Sequence, residues 1–218
     1  MLCAIARLDE EATRKLISLQ KTAAGDTPCL KPLYGHITIA AYTGTEEARF
    51  IRGCRESLAG ISAFTVTYNK IEVLEETSII VAAPEKTGLL EEIHQMIAKQ
   101  FEDSLDEWTK PDRWHPHTTL LFRPDSDLRA ICRKVSEHFV PFPARVCSIE
   151  FSRVLLSGYE ISTAWICPAD GRSNTVPRCR NCSRDCFIQR RQRGTACIVP
   201  PCNPDIYKPA LFPVIPPV

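Results

Sequence analysis

Apolar and polar positions alternate over residues 1–8, where Leu2, Ala4 and Ala6 oppose Cys3, Ile5 and Arg7. A period of two predicts a β-strand. Asp9 then stands as an N-cap before a helical stripe, Ala12, Leu16, Ile17 and Leu19, which predicts a helix over residues 10–21. A Gly- and Pro-containing loop leads to a strand over 34–42. Thr45 is placed to cap a second helix over 46–58, with Ala48, Ile51 and Leu58 on its apolar side. Strands follow over 64–74 and 78–83, joined at Glu75-Glu76-Thr77 as an antiparallel hairpin.

The order then repeats. Thr87 opens a helix over 88–103 with Leu89, Leu90, Ile93, Ile97 and Phe101 on one side. A strand is predicted over 114–123, and a helix over 127–139 capped by Asp125 or Ser126. Two strands close the series, over 145–156 and 162–167. Residues 10–83 and 88–167 thus share the order helix, strand, helix, strand, strand. This pseudo-duplication predicts an α+β fold of two similar lobes, with antiparallel sheets lining a central groove.

The repeat gives meaning to two short stretches. His36-Ile37-Thr38-Ile39 recurs as His117-Thr118-Thr119-Leu120, 81 residues later and at the corresponding strand. On a strand His36 and Thr38 share one face, as do His117 and Thr119. Thr118 faces the other way. Two histidines across a cleft suit in-line displacement at phosphorus: one takes a proton from the attacking oxygen and the other protonates the leaving oxygen. The threonine hydroxyls donate to the non-bridging oxygens. This chemistry needs no metal, and the sequence offers no carboxylate cluster to hold one. Continued along the strands, the same alternation puts Tyr34 and Tyr42 beside His36 and Thr38. It puts His115 and Arg123 beside His117 and Thr119. These become candidate substrate contacts, a tyrosine to stack on a base and an arginine to hold a phosphate. His94 and His138 fall on helices and read as surface or boundary residues. Trp114 and Trp165 read as core.

Paired His-x-Thr-x motifs in a duplicated α/β chain closely resemble the 2H phosphoesterase superfamily, which includes the 2′-5′ RNA ligase-like proteins and cyclic nucleotide phosphodiesterases. The resemblance covers residues 1–168. It implies a bilobal fold and metal-free action on a 2′,3′-cyclic phosphate or a 2′-5′ phosphodiester, with RNA or a nucleotide as substrate. It also implies no cofactor and no obligatory protein partner. Carried over to this sequence, His36 and His117 are the catalytic histidines, and Thr38 and Thr119 bind the phosphate. Which histidine is acid and which is base stays open. Thr118 departs from the pattern, where an apolar residue is usual.

Composition changes the picture only near the end. Residues 1–168 carry 19 Lys/Arg and 23 Asp/Glu, whereas 169–218 carry 8 and 3. The last stretch also holds 8 of 17 prolines and 5 of 11 cysteines. It reads as a separate, irregular, basic tail with the composition of a disordered segment. Cys179 and Cys182 have the spacing of a metal knuckle, but five thiols fit no simple four-ligand set. The other six cysteines are scattered, which points to reduced thiols in a cytoplasmic protein. No apolar run reaches the ~20 residues of a membrane span, and the opening residues do not form a secretory signal. Two other functions remain open: a non-catalytic RNA-binding module using the same groove, and a metal-binding protein acting through the Cys-rich tail.

Overall fold

A computed structural model describes residues 1–25, 35–74, 76–86, 88–124, 126–155 and 158–167. Tyr34, Thr87, Asp125 and the whole of 169–218, with its cysteines, lie outside the described residues. Within the described residues, seven strands and four α-helices follow in the order β1 (Leu2–Leu8), α1 (Glu10–Ala24), β2 (His36–Tyr42), α2 (Glu47–Ser57), β3 (Phe64–Val73), β4 (Ile79–Pro84), α3 (Gly88–Ala98), β5 (Thr118–Phe122), α4 (Leu128–Glu137), β6 (Phe142–Leu155) and β7 (Gly158–Ile166).

Local chemistry accounts for the boundaries. Asp9 caps α1 by accepting from the Ala12 amide at 2.9 Å. The helix runs past residue 21 and ends at Gly25, whose φ of 61° glycine adopts without strain. α2 is preceded by Glu46, not Thr45, and has no side-chain cap bond. Asp127 caps α4, in place of Ser126. α3 stops at Ala98 and is followed by a 3-10 segment over Lys99–Ser104, which is kinked where Phe101 leaves the helical region (φ −143°). Its ring packs edge-on to Tyr42 at 5.6 Å. β5 begins only at Thr118: Pro116 has no amide to give to a ladder, and the Trp114 amide is taken by the Lys110 carbonyl.

All strand pairs are antiparallel, in one sheet of order β2-β1-β6-β3-β4-β5 with β7 against β6. The 14-residue β6 joins the lobes. Its first part pairs with β3 and its later part lies between β1 and β7. One sheet face is buried under the helices in a single core that includes Leu16, Phe50, Leu90, Ile93, Tyr68 and Phe151. The other face carries a small second apolar cluster, Cys3, Ile5 and Ala41 with Val154, and beside it the groove-facing motif side chains.

The two halves of the chain do not form one lobe each. β2, from the first half, is covered by α3, from the second, while β5 lies against α1. Likewise β5 pairs with β4 of the first half, and β1 pairs with β6 of the second. Each motif strand is therefore backed by the helix that precedes the other motif.

Candidate active site

The motif strands share an irregularity that decides which side chains meet in the groove. In β1–β2 the ladder runs Arg7 to His36 and Ile5 to Thr38, then Ala4 to Ala40, so Ile39 has no partner. In β4–β5 Val81 faces Thr119 and Ile80 faces Leu121, so Leu120 has none. A bulge thus follows the threonine in both motifs. Two successive side chains turn into the core after each, Ile39 with Ala40 and Leu120 with Leu121. His36 and Thr38 keep the groove face, half-buried, and Thr119 does the same in the second strand.

The bulges overturn two expected contacts. Tyr42 falls on the core face, is 0% exposed, and donates its hydroxyl to the Ile97 carbonyl at 2.6 Å. It does not line the groove. Arg123, one bulge past Thr119, is carried off the His117 face and donates to the Ala24 carbonyl at the end of α1, 3.2 Å away. Phe122 takes the groove face instead. His115 does lie beside His117, with ring centroids 6.3 Å apart.

The bulged backbone is held from the opposite half of the chain. Thr118 Oγ1 donates to the His36 carbonyl (2.9 Å) and receives the Tyr68 hydroxyl proton (2.6 Å). Thr118 is 1% exposed, so its departure from an apolar residue is a satisfied buried hydroxyl tying β5 to β2. The Trp114 indole donates to the Thr38 carbonyl (2.9 Å) and His94 Nδ1 to the Ile39 carbonyl (2.7 Å). His94 is buried, not a surface residue, and stacks on Trp114 at 3.9 Å. On the other side Gln20 of α1 donates to the Thr119 carbonyl at 3.1 Å.

The charges around the histidines are ordered. His117 Nδ1 donates to the His115 carbonyl at 2.8 Å, which leaves Nε2 to exchange a proton. Burial holds the His117 pKa below its usual value, and the bond to that carbonyl opposes the shift. His115 Nε2 donates to Glu72 at 2.7 Å. His36 is pushed down to about 3, first by burial, then by the neighbouring charges of His117 and Arg7. The strands of the two motif histidines stand at opposite ends of the sheet order, yet the Thr118 hydroxyl beside His117 bonds the His36 carbonyl.

Two glutamates extend the two-fold pattern. Ile5 pairs with Thr38 on one side and Glu150 on the other, and Val81 pairs with Thr119 and Glu72. Glu72 and Glu150 therefore occupy equivalent places on the groove floor. Each faces a basic group, His115 for Glu72 and Arg7 for Glu150. Burial raises the Glu150 pKa. Burial also pushes Glu72 up, but its bonds from Lys70 and His115 outweigh that and leave it lowered. No motif marks Arg7, Glu72 or Glu150, yet each alternates onto a polar position of a strand, and that signal is present in the sequence.

A helix-backed antiparallel sheet with two equivalent motif strands defines a protein of the 2H phosphoesterase class. Within that class the chain belongs to the 2′-5′ RNA ligase superfamily, whose family model matches residues 11–155. Among solved structures, the TT0787 protein of Thermus thermophilus superposes with a TM-score of 0.58 at 16% identity, covering 78% of this chain and 98% of that one. A structure described as a phosphoesterase gives 0.55 at 17% identity, over 77% and 97%. LigT of E. coli, complexed with 3′-AMP, gives 0.52 at 16% identity, over 76% and 96%. At these identities the likeness is one of fold. No curated protein sequence matches the chain. Among the described residues no helix is long and apolar enough to cross a membrane.

Proposed function

We propose that the protein opens 2′,3′-cyclic phosphates on RNA ends or nucleotides by His36/His117 acid–base catalysis, with making or breaking of 2′-5′ linkages as the close variant. The observation that carries this reading is the tie between two motifs 81 residues apart in sequence: the hydroxyl of Thr118, next to His117, donates to the His36 carbonyl at 2.9 Å. His36, neutral beside Arg7, is suited to act as base. It takes a proton from water as the water oxygen attacks phosphorus. His117 is the better acid of the two: burial lowers its pKa, but the His115 carbonyl and the charge of Glu72 oppose that shift, whereas every neighbouring group acting on His36 lowers it further. It gives its proton to the leaving ribose oxygen as the phosphorus–oxygen bond breaks. Thr38 and Thr119 donate to the non-bridging oxygens, where charge develops.

The test offers 2′,3′-cyclic nucleotides and 2′-5′ linked dinucleotides to the purified protein with a chelator present. Turnover is expected in the parent. His36→Ala and His117→Ala are each expected to lose about 10²–10⁴-fold in kcat, the usual worth of a general acid or base. Turnover that survives either change removes the mechanism, and RNA affinity without turnover in the parent would make the groove a binding module.

A further inference from the structure

The groove is two-fold in its histidines, threonines and glutamates, and it departs from that symmetry in where its cations stand: Arg7 lies on β1, next to β2, whereas Lys70 lies on β3, separated from β5 by β4 and bonded to Glu72 at 2.8 Å. Ile5 of β1 corresponds to Val81 of β4 through their pairings with Thr38 and Thr119. Two residues further on in each strand stand Arg7 and Ala83. Arg7 is directly opposite His36 in the ladder and shares its face. On its other side is Ser148 of β6, also on the groove face. Its Nε forms an ion pair with Glu150 Oε1 at 3.8 Å, and its side chain is 33% exposed.

A permanent cation beside a histidine base is unfavourable in an empty groove. Protonating His36 there sets a second positive group beside Arg7, whose ion pair with Glu150 at 3.8 Å offsets only part of that charge. An anion seated between the histidines reverses that cost, because it attracts both. The threonine hydroxyls are neutral donors and do not supply the missing charge. A guanidinium does, and its fork matches two oxygens of one phosphate. Arg7 also stands on a strand paired on both sides, so it is held in place before substrate arrives.

Resting on the phosphoesterase reading, we propose that Arg7 is a further phosphate contact, binding the non-bridging oxygens of the phosphoryl group held between His36 and His117. Arg7 pairs directly with His36, whereas Lys70 is one strand removed from β5 and taken up by Glu72, and that difference gives the pseudo-symmetric groove a direction, so a bound phosphodiester presents its negative oxygens toward β1. The leaving oxygen then lies toward His117.

The experiment follows the histidine ring signals of the full chain by NMR while inorganic phosphate is titrated in, alongside turnover of a 2′,3′-cyclic nucleotide. In the parent, phosphate is expected to move the His36 and His117 signals. Arg7→Gln is expected to weaken phosphate binding by about tenfold to a hundredfold, the worth of one charge-assisted contact, and to lower turnover. Arg7→Lys is expected to recover part of the affinity, which a purely structural role would not produce. Phosphate binding and turnover equal to the parent in a folded Arg7→Gln protein overturn the proposal and leave the phosphoesterase reading standing. Phosphate affinity that depends on Arg7, in a parent with no turnover, supports the contact and overturns the phosphoesterase reading. A parent whose ring signals ignore phosphate overturns the contact outright.

Discussion

Thr118 shows how much a single hydroxyl can organise. It faces the core, where a hydroxyl without partners costs about 1–3 kcal/mol. Here it bonds the His36 carbonyl and receives the Tyr68 hydroxyl, so a residue of one motif fixes the backbone of the other. Thr118→Val leaves the buried Tyr68 hydroxyl without that partner and is expected to destabilise the fold by about 1–3 kcal/mol. A denaturant midpoint measures it, and adding Tyr68→Phe is expected to return part of the loss. Unchanged stability in the single variant would mean that the hydroxyl contributes nothing. The histidines themselves make a pH prediction. Both have pKa values held below the ordinary ~6.5 of histidine. The singly protonated pair, one base and one acid, is therefore most populated on the acid side of that value in the free protein. kcat/KM reports the free protein, so its pH profile is expected to peak below about 6.5. A bound phosphate attracts protons onto both rings, so kcat is expected to peak at higher pH. Rates across a buffer series at low and saturating substrate measure both, and coincident peaks at or above ~7 would contradict the charge arrangement.

At the scale of elements, what the sequence made legible was local and what it hid was cross-strand. Among the described residues the alternation of apolar and polar positions located each β-strand and α-helix, though not the 3-10 turn at Glu107–Thr109, and it put His36 with Thr38 and His117 with Thr119, because each pair precedes its bulge. Tyr42 and Arg123 depart from their expected places for one reason: the alternation does not continue across Ile39 and Leu120, where the ladder skips a residue. A bulge belongs to a pair of strands and leaves little trace in either alone. The trace here is two adjacent apolar residues after each threonine, Ile39-Ala40 and Leu120-Leu121. His94 was hidden similarly. A lone histidine on a helix looks solvated until a bulged strand offers it the Ile39 carbonyl and Trp114 offers it a ring. Arg7 and Glu150 were legible as groove-facing by parity, but only the pairing of β1 with both β2 and β6 sets them beside His36 and Thr38.

At the scale of the whole molecule, the exchange between halves makes each half dependent on the other. In residues 1–86 alone, β2 would keep β1 but lose α3, whose Ile97 carbonyl takes the Tyr42 hydroxyl and whose His94 holds Ile39. β1 would lose β6, and Phe50 would lose the Phe151 ring it meets edge-on at 5.6 Å. Re-exposing a large apolar side chain costs about 1.5–3 kcal/mol. Ile37, Ile39, Tyr42 and Phe50 are each 0–1% exposed in the intact fold, so uncovering these four amounts to about 6–12 kcal/mol. That is comparable to the ~5–15 kcal/mol that holds an entire domain together. The second half suffers reciprocally, since β5 would lose both β4 and the Gln20 bond from α1. Residues 1–86 and 87–218, expressed separately, are therefore expected to show no cooperative unfolding by circular dichroism. Mixed in equal amounts, they are expected to recover a cooperative transition. Either half unfolding cooperatively alone would show that the lobes follow the sequence repeat, and the pairing of β2 with second-half partners would then be dispensable for folding.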